Sequence, residues 1–199
     1  MFSSNRAAQG RREMLRRDLA AFANLRVLTL AAVLAAMSLI LGKFLQIPTP
    51  FRDFLRFSFE NLPILFAGVT MGPFVGLAVG VVADLLGCLL YGYAINPIIT
   101  LGAAAVGLLS GLSAHYLVRR PLLLQLALAG TLAHLVGSVL IKSAGLAAWY
   151  LGQYQLGLWQ LMLWRLAVYL PTAAIEIALL YILLRRRSVA GQLERMLDL

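Results

Sequence analysis

The sequence predicts an all-α integral membrane protein, a compact bundle of six transmembrane helices. Three observations carry this prediction. Hydrophobic residues make up 61% of the 199 residues and charged residues only 13%, against roughly 25% charged in globular domains; the mean hydropathy is +0.86. Apolar runs at 27–45, 125–150 and 158–184 reach the about 20 residues that cross a hydrocarbon core. The stretch 62–118 is apolar almost throughout and is interrupted only by Gly-Pro and Asn-Pro pairs, which punctuate it into three helices.

The elements follow in order. The basic segment 1–26 lacks the short apolar core and small-residue cleavage site of a signal peptide before the first long span, so it is expected to be retained. Its RREMLRRDLAAFANLR fits an amphipathic helix on the anionic cytoplasmic leaflet. Six spans are predicted at 27–45, 58–71, 73–91, 97–118, 122–149 and 158–184, the second of them short. They form one transmembrane domain over 27–187, followed by a cytoplasmic tail at 188–199. With the N-terminus inside, the cytoplasmic segments hold Arg6, Arg11, Arg12, Arg16, Arg17, Arg26, Arg119, Arg120, Arg185, Arg186, Arg187 and Arg195. Lys43, Arg52, Arg56, Lys142 and Arg165 remain of the 17 basic residues. That asymmetry predicts a multi-pass cell-membrane protein with both termini cytoplasmic. The net charge of +9 therefore marks topology, and nucleic acid is not an expected partner, because no aromatic residues interleave with the basic ones.

The stretch GVTMGPFVGLAVGVVADLLG, residues 68–87, places glycine at 68, 72, 76 and 80 and then aspartate at 84. Proline has no amide hydrogen and fits the first turn of a helix, so Met71-Gly72-Pro73 reads as a turn that splits this ladder between spans two and three. Small residues four apart let helices approach closely in lipid. The pattern recurs at Ala103, Gly107 and Gly111, and at Ala31/Ala35 and Ala32/Ala36. Packing accounts for the glycines and leaves Asp84, in the outer half of span three, as either a pocket wall or a helix-to-helix hydrogen bond.

Three connections carry unusual chemistry. QIPTPFRDFLRFSFENLP, residues 46–63, combines three prolines, four phenylalanines and four charges in the manner of a lid. YGYAINPI, residues 91–98, turns at Gly92 and Asn96-Pro97, and WYLGQYQLGLWQ, residues 149–160, is rich in aromatic and glutamine side chains, where an interfacial aromatic belt competes with ligand stacking. Ionisable residues inside hydrocarbon face an interior or a cavity, which makes Glu60, Asp84, Lys142, Arg165 and Glu176 candidates. Lys142 and Arg165 lie near span ends, where snorkelling to the interface competes with a site role. Glu176, deeper in span six, suits a pairing with a neighbouring helix. His115 and His134 read as packed or interfacial. One cysteine, Cys88, excludes an internal disulfide, and no cluster has metal-ligand spacing. No metal or cofactor is expected.

Taken together, RFSFENLP with Arg56 and Pro63, the Gly-Pro turn and Asp84-Leu-Leu-Gly87, ITLGAAAVGLLSGL at 99–112, the alanines of span one, and WRLAVYLPTAAIEIALLYILL with Arg165 and Pro171 resemble the substrate-binding S components of energy-coupling-factor vitamin transporters. The resemblance spans about 27–187 and is strongest to the folate type. It implies the S-component fold, a vitamin bound from outside, and docking on a membrane T component that carries two ATPase subunits. It also implies that Ala31, Ala32, Ala35 and Ala36 face the T component. The chain departs from the folate pattern at Glu60-Asn61 and in YGYAINPI. S components for riboflavin, pantothenate or another heterocycle therefore stay open as alternatives.

The residues agree with that implication at one point. Gly42-Lys43 is followed by Phe44 and lacks the upstream glycine of a phosphate loop, so ATP use is expected in a partner and the chain is not expected to be an enzyme. No nucleophile-base or paired-acid arrangement for an intramembrane protease or acyltransferase stands out. A purely structural assembly subunit is the remaining alternative. For a folate-like vitamin, Asp84, Glu60, Asn61 or Asn96 suit the donor-rich ring edge, and Arg56, Lys142 or Arg165 suit the glutamate carboxylates.

Overall fold

The computed structural model describes residues 16, 20–48, 56–117, 121–154 and 157–197. Most of the expected amphipathic helix at 11–26, the lid tip 49–55 and the Arg119-Arg120 turn lie outside the described residues. So do the side chains of Arg56 and of 149–156. At the end of that expected helix, Ala21–Ala23 form a short 3-10 helix and Asn24 is extended before the first long helix.

Helix α1 runs over Leu25–Phe44, α2 over Asn61–Met71, α3 over Pro73–Tyr91 and α4 over Pro97–Leu112. Helix α5 (Leu122–Leu132), a π-helical stretch at Ala133–Ile141 and α6 (Lys142–Tyr154) follow one another without a break. Helix α7 covers Leu158–Arg185 and α8 covers Arg187–Leu197. Five helical segments are long and apolar enough to cross a membrane, with α2 as a shorter apolar helix. The described residues are thus almost entirely helical, apart from a small antiparallel ladder in which Ile47 pairs with Phe57 and Pro48 with Arg56.

The second span is shorter than 58–71 implied. Residues 56–57 are held in the ladder and α2 begins at Asn61. Eleven residues at 1.5 Å each give a helix of only about 16 Å. The fold therefore has a gap above the α2 N-terminus, between α1 and α3, and the candidate site lies there. The C-terminal tail contains a helix. Arg186 adopts an extended conformation that ends α7, and α8 then begins as a separate helix.

The predicted turn at Met71-Gly72-Pro73 is where α2 and α3 meet. Gly72 has φ of 102°, a region that a Cβ disfavours, and Pro73 opens α3. Helix α4 lies at the centre, packed by α2, α3, α5, α6 and the π-helical stretch. Its backbone touches that of α3. A Cβ on Gly76 would lie 2.6 Å from the Gly107 carbonyl oxygen, and one on Gly107 would strike Gly76. No side chain fits between them, which is the close approach that small residues permit. Leu65, Val75, Val106, Leu126 and Leu180 are fully buried around this contact.

Candidate functional site

A cavity of about 240 Å³ opens above the α2 N-terminus. Its walls are the last turns of α1, the α3 face from Gly80 to Tyr91, the start of α6, and Tyr169 of α7. The α2 entry is fixed from α1, where the Ser38 hydroxyl donates to the Glu60 carbonyl at 2.6 Å. This aims the Glu60 carboxylate across the gap, and Lys142 Nζ donates to its Oε1 at 3.0 Å. Asp84 stands on the α3 wall, and its Oδ2 accepts the Thr100 hydroxyl of α4 at 2.6 Å. The two readings of Asp84 are therefore compatible. One oxygen ties α3 to α4, while the side chain still lines the cavity.

Glu60, Asp84 and Lys142 thus converge. Asn61 and Arg165 lie beside them in a buried layer. Asn61 is fully buried and its Nδ2 lies 3.4 Å from the Ser138 hydroxyl. Arg165 donates through Nε and Nη2 to the Ser138 carbonyl at 3.2 and 2.8 Å, and through Nη2 to the Tyr169 hydroxyl at 3.3 Å. Neither cation snorkels. Lys142 is 7% and Arg165 6% exposed, and both bond to neighbouring elements of the bundle. Asn96 is placed elsewhere. Its Oδ1 accepts from the Ile98 amide as an N-cap and its Nδ2 donates to the Gly145 carbonyl, which pins the α3–α4 connection to α6.

Sequence reasoning missed several partners. Lys43 of α1 lines the cavity, its ammonium 4.7 Å from the centroid of the Tyr91 ring. Below the cavity, His134 Nε2 and Glu176 Oε2 meet at 2.6 Å between two almost fully buried side chains. This is the neighbouring-helix pairing that suited Glu176, and it makes His134 a packed residue. The signal was present. His134, Ser138 and Lys142 recur four residues apart in an apolar span, and the π-helical stretch that contains the first two, with a turn wider than 3.6 residues, keeps such a stripe on one face. Each meets a polar group of α2, α7 or the α2 entry.

A family model for the substrate-specific component of ECF transporters matches residues 26–185. No curated protein sequence matches the chain. Among solved structures, a crystal structure of FolT bound with folic acid is similar with a TM-score of 0.61 at 24% identity, over 79% of this chain and 92% of that one. That likeness is one of fold, and it fits the helical bundle described above. With most of its length covered by the family model, the chain belongs to the family of ECF transporter substrate-specific components.

Proposed function

We propose that this chain is the vitamin-capturing subunit of its transporter and that the vitamin is folate or a related pterin. The observation that carries this reading is the cavity itself, a gap above a shortened helix in which Asp84 faces the Glu60–Lys142 pair. A pterin presents ring and amino N–H donors along one edge, and a carboxylate is an acceptor that pairs with such an edge. Tyr169 supplies a flat face for the ring. The fold shared with a folate-bound FolT supports the same choice of ligand.

In this reading the site residues are Asp84, Glu60 and Lys142 on the cavity wall. Asn61 and Arg165 support it from the layer beneath, Asn96 shapes the neighbouring connection, and Arg56 is retained as a site residue on the sequence resemblance alone. Both termini face the cytoplasm of the cell membrane, following the arginine asymmetry, so the cavity opens outward. The segment 1–26 lies on the inner leaflet, 27–187 forms the binding domain and 188–199 completes the inner face. Helix α1 then docks on a T component with two ATPase subunits. The alanines divide between two tasks, for Ala32 and Ala36 are exposed whereas Ala35 is buried and Ala31 packs against the core.

The test is to identify by mass spectrometry the small molecule that travels with the protein purified in mild detergent, alongside calorimetry with a vitamin panel. Folate is the expected result. Co-purified riboflavin or pantothenate with no folate binding would overturn the assignment in favour of another S-component substrate.

A further inference from the structure

Among the described residues, four charged side chains line the cavity, Lys43, Lys142, Glu60 and Asp84. Two of them cancel. Lys142 and Glu60 bond to each other at 3.0 Å, so an incoming ligand meets a pair whose charges are already matched. Arg165 is committed to Ser138 and Tyr169 and does not line the cavity. Asp84 accepts the Thr100 hydroxyl and forms no ion pair with a described cation.

Lys43 is left as the cavity cation without a carboxylate partner among the described residues. It is exposed, and its ammonium rests over the Tyr91 ring. That ring is itself fixed, because the Tyr91 hydroxyl donates at 3.1 Å to the Leu39 carbonyl one turn earlier on the same helix as Lys43. A cation over an aromatic face retains its N–H donors, and an exposed contact of this kind is weak beside a charge-assisted hydrogen bond to a carboxylate.

Building on the folate reading, we infer that Lys43 is the anion anchor of the cavity. The ligand's carboxylate binds the Lys43 ammonium above Tyr91, its donor-bearing ring edge faces Asp84, and Lys142 serves to hold Glu60 in place. The matching ligand class is a flat heterocycle with hydrogen-bond donors at one end and a carboxylate at the other. Riboflavin has no carboxylate and pantothenate has no heterocycle, so neither satisfies both ends.

The test compares folic acid with 6-methylpterin, which lacks a carboxylate, by calorimetry on the full chain in detergent. In Lys43→Gln, folic acid binding is expected to weaken about tenfold or more, while 6-methylpterin binding stays within about twofold, as befits an exposed site away from the ring edge. Lys43→Arg should retain most of the affinity. Added salt should weaken folic acid binding to the wild type more than to Lys43→Gln. Unchanged folic acid affinity in Lys43→Gln, an equal loss for both ligands, or a carboxylate-selective loss in Lys142→Gln instead would overturn the anchor while leaving the folate reading intact. A wild type that binds neither compound overturns the folate reading and the anchor with it.

Discussion

Asp84 and the His134–Glu176 pair show two uses of ionisable side chains inside an apolar bundle. Asp84 borders a cavity, and its hydrogen bond from Thr100 orients a carboxylate that stays available. Asp84→Asn should keep that hydrogen bond while removing the charge, and folate affinity is expected to fall about tenfold or more. Thr100→Val should cost less, because the acid remains. Equal affinities for wild type and Asp84→Asn would remove Asp84 from the site. His134 and Glu176 have no access to the cavity and are buried together. Breaking such a pair strands a polar group, at a cost of about 3–5 kcal/mol, whereas replacing both partners is far milder. His134→Leu should therefore lower the melting temperature in detergent more than His134→Leu combined with Glu176→Leu. The reverse order would show that the pair does not act as a structural unit.

At the level of elements, the shortness of α2 and the α3–α4 contact produce the site together. The first leaves a gap above Asn61, and the second draws the α3 wall toward α4 until Gly76 and Gly107 meet backbone to backbone. Val at position 107 cannot be placed without moving α3, so Gly107→Val is expected to cost several kcal/mol, about as much as an overpacked core or more. Both a lower melting temperature and lost vitamin binding should follow. Retained binding would mean that α3 and α4 can separate without disturbing the Asp84 wall. The continuous rod of α5, the π-helical stretch and α6 has its own role. It presents His134, Ser138 and Lys142 in one line, so the Glu60–Lys142 bond at the cavity and the Glu176–His134 bond below it share one support.

For the molecule as a whole, the proposed capture and coupling surfaces are different parts of the bundle. The cavity lies among the far ends of α1 and α3, while Ala32 and Ala36 sit exposed midway along α1. Ala32→Trp and Ala36→Trp are expected to leave vitamin affinity within about twofold of wild type, since an exposed substitution away from the site has little effect, and to abolish co-purification with the T component. Ala35→Trp, at a buried position, should destabilise the isolated protein instead. Persistence of the complex in both exposed variants would place the docking face elsewhere.

The sequence by itself determined the membrane class, the six helical segments and their turns, because apolar length and the Gly-Pro and Asn-Pro pairs are local properties. It also showed that glycine and alanine stripes would pack closely and that Asp84 needed a separate explanation. Where span two begins was not legible, since no local signal in RFSFEN shows that Phe57 is taken up in pairing with Ile47 while the helix waits until Asn61. The roles of the charges were not legible either. For Lys142 and Arg165 snorkelling competed with a site role, and in the bundle one pairs with Glu60 and the other braces Ser138. Lys43 drew notice only as one of the five basic residues outside the cytoplasmic segments. Pairing depends on which residues distant in sequence face one another, and that is set only when α1, α2, α3, α6 and α7 close around the gap. Tertiary structure alone decided which charged side chains pair with one another and which line the cavity unpaired among the described residues.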